Sequence, residues 1–162
     1  MNATGWKIIH LWRRDVFSQA ISNQVAVATH HWHRNPRQAE PSMPKSLHIE
    51  PERLLTTIAN ILQNHQKDRE ILSSLPHLDL IYEDHLKDET RRQGMTPALL
   101  RFLEQPAATL SVRLLPSYGK PYRELIENYP ELEQAAQARY QPEELFLKNP
   151  PCANPHEPSP DF

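Results

Sequence analysis

A chain of 162 residues is long enough for one domain with one core. Hydrophobic residues make up 38%, below the usual globular share of about 45–50% on a count that also includes glycine, and the deficit falls in two proline-rich stretches, 34–46 and 141–162. With 18 basic and 20 acidic side chains the net charge is −2, which argues against a nucleic-acid coat protein but leaves an arginine pair free to serve one small phosphate. The single cysteine, Cys152, excludes an intrachain disulfide framework and a thiolate metal cage. No apolar run approaches the roughly 18–20 residues of a membrane span. Lys7, His10, Arg13 and Arg14 interrupt any signal-like segment, so the expectation is a soluble, cytoplasmic protein with no nucleic-acid or membrane partner.

The first element is expected at 7–12, KIIHLW, whose near-continuous apolar character suits a strand of a parallel sheet. Arg13, Arg14 and Asp15 end it, and Asp15 is a good N-cap for a helix over 16–29 with Val16, Phe17, Ala20, Ile21, Val25 and Ala28 near one face. Strand, turn and helix make half of a βαβ unit. Residues 34–46 read as a loop. A long helix is expected over 50–74, with Pro51 in its first turn and Leu54, Leu55, Ile58, Ile61, Leu62 and Leu72 on one face. Residues 77–82 read as a second short strand followed by a polar turn of Glu83, Asp84 and His85. A short helix is expected at 97–104, opening on Pro97 with Leu99, Leu100 and Leu103 inward. Another is expected at 121–138, kinked or split by Pro130, with Leu125, Ile126, Tyr129 and Leu132 on its face. The tail, 141–162, has six prolines and is expected to be disordered.

A phosphate needs positive charge and fixed donors. A helix N-terminus after a strand supplies backbone N–H groups and a favourable dipole, and an arginine adds a bidentate fork. Arg13 and Arg14 stand at the strand end, with Ser18 and Ser22 on the helix, Ser22 lying eight residues after Arg14. This pattern resembles the 3′-phosphate-binding element of PAPS-dependent sulfotransferases, above all the bacterial carbohydrate-sulfating branch. There a strand ends in arginine and a helix carries a serine eight or nine residues later. Leu11-Trp12-Arg13-Arg14-Asp15 and Gln19-Ala20-Ile21-Ser22 are similar to that family's run. Position at the strand end points to Arg13, and spacing to the serine points to Arg14. Further resemblances follow in order: Trp32-His33, the run from Ile49 to Leu54, Leu80-Ile81-Tyr82-Glu83-Asp84, Arg101-Phe102-Leu103, and the run from Lys120 to Tyr129 with Glu131-Leu132 behind it.

The resemblance covers about residues 7–132. It implies an α/β, partial P-loop-like sulfotransferase fold over 1–140, with a short parallel sheet and mostly helices. It further implies PAPS as co-substrate, a carbohydrate or other small-molecule acceptor, and cofactor binding by Arg13, Arg14 and Ser22. These enzymes begin with a Gly/Ser/Thr-rich loop that holds the 5′-phosphosulfate, whereas the three glycines here, Gly5, Gly94 and Gly119, form no such loop. The chain therefore corresponds to the C-terminal part of such an enzyme, as a truncated or split gene or a misassigned start codon would produce, and its activity alone is expected to be low or absent. Its catalytic base and oligomeric state stay open. A missing neighbour strand would leave Ile8, Ile9 and Leu11 on an unpaired edge.

Plainer readings stand beside these. The arginine pair suits a solvated turn or a partner for acids such as Asp15. Ser22 suits a helix serine bonding the preceding turn. The run His30-His31-Trp32-His33 suits a polar helix end with Trp32 packed inward more than a metal site, since adjacent histidines diverge. Glu83 and Asp84 suit helix-capping carboxylates more than a general base, and Lys120 and Arg123 a solvated helix start. The rival to an enzyme is a non-catalytic helical interaction domain.

Overall fold

The computed structural model describes residues 5–32, 44–111 and 121–148. Most of the loop expected at 34–46, together with His33, Lys120 and Cys152, lies outside the described residues. The described chain is a mostly helical α/β structure with one two-stranded parallel sheet. The strands are β1 (Ile8–Trp12) and β2 (His77–Ile81). The helices are α1 (Val16–Thr29), α2 (Pro51–Leu72), α3 (Glu89–Phe102), α4 (Tyr122–Leu125), α5 (Tyr129–Arg139) and α6 (Pro142–Leu145). Among the described residues no helix is long and apolar enough to cross a membrane.

The chain divides into two compact units. One comprises Met1–Arg14, Asn64–Leu110 and Leu147–Phe162, the other Asp15–Gln63 and Ser111–Phe146. In the first unit β1 and β2 pair in parallel, Ile8 opposite His77 and Trp12 opposite Ile81. Alternation along β1 buries His10 and Trp12 and leaves Ile9 and Leu11 39% and 59% exposed. The buried face meets the second half of α2, where His65 lies edge-on to Trp12 with ring centroids 6.1 Å apart. Only His65 and Leu72 are buried along that half.

β2 runs directly into a π-helical turn, Tyr82–Leu86, and α3 starts at Glu89, eight residues before the expected start at Pro97. The Asp88 carboxylate accepts from the Arg91 N–H at 2.9 Å, and Glu89 accepts from Arg92 and Gln93 at 2.8 and 3.0 Å. These caps and i, i+3 and i, i+4 pairs start a helix that apolar periodicity does not reveal. Pro97, exposed, sits inside it. Leu100 is its buried residue, with Leu99 and Leu103 half-buried.

In the second unit Val16, Ala20, Ile21, Val25 and Ala26 of α1 are buried, as are Leu54, Leu55, Ile58 and Ile61 of α2 and Leu125, Ile126, Leu132 and Ala136 of the C-terminal segment. Asp15 caps α1 as expected, its carboxylate accepting from the Ser18 N–H at 2.8 Å and the Ser18 hydroxyl at 2.7 Å. The helix expected over 121–138 is split into α4 and α5, and Pro130 falls in the first turn of α5, where a missing N–H costs little. Between them Ile126 is extended and bridges to Leu47. The Asn128 amide clamps the same strip from the side, accepting from the Ile49 N–H at 3.2 Å and donating to the Ile49 carbonyl at 2.8 Å. Residues 141–148 depart from the tail expected over 141–162. Gln141 and Glu144 form a capping box that opens α6, and Phe146 bridges to Asp15.

Asn128→Ala removes both bonds to Ile49. The expected loss is about 2 kcal/mol of unfolding free energy, read as a lower urea midpoint, and an unchanged midpoint would show that the clamp contributes nothing.

Candidate functional site

Parallel strands release their next residues at the same end of the sheet, which is where open α/β folds bind ligands. With Trp12 opposite Ile81, Arg13 and Arg14 emerge beside Tyr82, Glu83 and Asp84. The Arg13 guanidinium lies over the Tyr82 ring, 4.3 Å from its centroid, and its Nε is 3.6 Å from Glu83 Oε1. That separation is an ion contact rather than a hydrogen bond. The Arg14 backbone N–H donates to Glu83 Oε2 at 2.9 Å. Its guanidinium donates to Asp84 Oδ2 at 2.5 Å and to the Lys148 carbonyl at 3.1 Å. Arg91 of α3 donates to the Glu83 carbonyl and pairs with Asp88.

The π-helical turn is anchored by His85, whose Nδ1 accepts from the Ile81 N–H at 2.9 Å. A backbone amide can only donate, so the ring carries its proton on Nε2. Glu83 and Asp84 therefore do not cap the following helix, a role that Asp88 fills. They balance the two arginines, and Asp15, the acid suggested as partner by sequence proximity, serves Ser18.

Below the arginines the sheet carries a buried polar cluster that sequence reasoning missed. His10 and Asp79 are register partners, with His10 Nδ1 2.8 Å from Asp79 Oδ1. The other Asp79 oxygen lies 3.5 Å from His77 Nε2, and His10 Nε2 lies 3.5 Å from Asp68 of α2. His77 Nδ1 bonds the Leu75 carbonyl at 2.7 Å. Polar residues at the inward phase of both strands were the available signal. Among the described residues no group of three or more His, Cys, Asp or Glu is arranged to hold a metal ion.

Ser22 belongs to the second unit. Its hydroxyl lies 3.1 Å from the Tyr122 hydroxyl, at the start of α4. Arg123 pairs with Glu133 at 2.7 Å and lies over Tyr129, 5.0 Å from its ring centroid, while its side chain is 66% exposed at the start of α4, the solvated helix start expected of it. Trp32 is 57% exposed and does not pack inward as expected. His30 closes α1 in the left-handed conformation.

Compared with protein-family models, curated proteins and solved structures, the chain matches none.

Burial pushes the His65 imidazole below its ordinary value of 6.5, with His10 and Arg69 adding to the effect and Asp68 opposing it. Among the described residues its ring nitrogens have no hydrogen-bond partner. Because the folded value is the lower one, the unfolded chain takes up more protons on acidification. The contribution of His65 is present above about pH 6.5 and is lost as pH falls below it. In His65→Phe, which keeps a ring edge against Trp12, urea titrations at pH 7.5 and 5.0 should differ less than in the wild type. An identical pH dependence would exclude His65 as a source.

A double-mutant cycle on Arg14→Ala and Asp84→Ala should give a coupling of up to about 1 kcal/mol, the range for a partly exposed pair. Zero coupling would mean that solvent competes successfully for both groups.

Proposed function

We propose that this chain is sulfotransferase-like, with a partial P-loop-like fold. It supplies the 3′-phosphate-binding element for PAPS in sulfuryl transfer to a hydroxyl of a carbohydrate or other small-molecule acceptor. In that reaction the acceptor oxygen forms a new O–S bond while the bond from sulfur to the 5′-phosphate oxygen breaks. The acceptor proton passes to a base, and adenosine 3′,5′-bisphosphate leaves. Arg13 or Arg14 would bind the 3′-phosphate. No residue of this chain is assigned as the base. The sequence has no Gly/Ser/Thr-rich loop for the phosphosulfate, so the function proposed for this chain by itself is nucleotide binding.

The observation that carries the reading is the pair of arginines at the carboxyl end of a parallel strand, directly ahead of a capped 14-residue helix. The ordered resemblance over about 7–132 supports it. Guanidinium forks match phosphate oxygens, and a dianionic phosphate can compete with Asp84, whose side chain is 43% exposed. One observation favours the rival interaction domain: Arg13 and Arg14 already face Glu83 and Asp84, as a purely structural turn would have them.

Calorimetry with adenosine 3′,5′-bisphosphate separates the two. The proposal expects micromolar binding that Arg13→Ala/Arg14→Ala abolishes while the fold survives. Absence of binding by the wild-type chain, with the double variant only less stable, would leave the structural turn as the answer.

A further inference from the structure

Residues 147 and 148 follow α6 closely, and each places one backbone group on Arg14. The Leu147 N–H donates to the Arg14 carbonyl at 3.0 Å. The Arg14 guanidinium donates through Nη1 to the Lys148 carbonyl at 3.1 Å. Arg14, Asp84, Leu147 and Lys148 belong to the same compact unit. Leu147 is half-buried and Lys148 exposed. A short, largely exposed stretch tied by two bonds to one residue opens locally far more easily than a core strand.

The acceptors on the guanidinium are unlike. Nη2 meets the Asp84 carboxylate and Nη1 a neutral carbonyl. Among the described residues the buried Nε has no hydrogen-bond partner. Exchanging Asp84 for a phosphate swaps one anion for another. Exchanging the Lys148 carbonyl swaps a neutral acceptor for a charged one, and charge-assisted bonds are roughly twice as strong. The carbonyl is therefore the partner whose replacement by an anion gains most, and while it stays no phosphate oxygen can take its position.

We propose that Leu147 and Lys148 form an autoinhibitory strap, whose backbone occupies Arg14 and leaves when a phosphate anion binds there. This rests on the reading above, in which a strand-end arginine binds a phosphate, and adds that the chain itself controls access to that arginine. The fraction of molecules with the strap released limits the apparent affinity. Weakening the strap should therefore tighten binding, the opposite of what loss of a supporting contact would do.

The test uses the full chain carrying Leu147→Pro. Proline removes the N–H that bonds Arg14, and Phe146 ahead of it is already extended, as a residue before proline must be. Calorimetry with adenosine 3′,5′-bisphosphate and with inorganic pyrophosphate should show about tenfold tighter binding in Leu147→Pro, the effect of about one hydrogen bond. Leu147→Ala keeps the N–H and should bind as the wild type does. Saturating ligand should also speed hydrogen exchange at the wild-type Leu147 amide, while the Phe146 amide, bonded to the Pro142 carbonyl at 2.9 Å, stays unchanged. If Leu147→Pro does not fold, this exchange decides. Equal affinities with unchanged exchange overturn the strap and leave the PAPS reading standing. Tighter pyrophosphate binding in the variant, with no bisphosphate bound by either protein, keeps the strap and overturns the PAPS reading. Failure of both proteins to bind either ligand overturns both.

Discussion

Parallel pairing of two five-residue strands is the constraint on which the candidate site depends. A short parallel pair has few backbone bonds with which to hold its register, and here side chains assist. His10 and Asp79 stand opposite each other and are joined by a buried 2.8 Å contact. A slip of one residue would turn one of the two partners to the other face of the sheet, leaving a buried imidazole or carboxylate without its counterpart, a costly state in a low-dielectric interior. The polar pair thus favours one register over its neighbours. That register brings Arg13 and Arg14 alongside Glu83 and Asp84.

The two faces of β1 follow different rules. Trp12 and His10 are covered by α2, while Ile9 and Leu11 stand partly in solvent. Among the described residues β1 pairs with β2 alone. Its other edge has no strand neighbour among the described residues.

Charge at the strand ends is balanced locally. Two guanidiniums face two carboxylates, and the better-buried carboxylate, Glu83, contacts the Arg13 side chain and the Arg14 backbone together. Asp84 is more exposed and meets the Arg14 guanidinium. An arriving anion would displace Asp84 more readily than Glu83, because an exposed carboxylate regains hydration when its partner leaves.

The sequence by itself determined elements whose signals are local. β1, α1 with its Asp15 cap, α2 with Pro51 in its first turn, and β2 were all legible, because periodicity and capping act over a few residues. The break ahead of Pro130 was legible too, since a proline cannot continue the hydrogen-bond ladder. Only the part of α3 ahead of Pro97 was missed, because those first turns are held by charged pairs around Asp88 and Glu89 and carry no apolar stripe. α6 was missed because proline content masked a capping box. Only the tertiary structure decided the partners of the candidate residues. Glu83 and Asp84 meet the arginines 70 or so positions away, and Tyr122 meets Ser22 at a separation of 100. Such contacts are set by strand register and helix packing, and nothing in the composition of either segment encodes which distant side chain arrives.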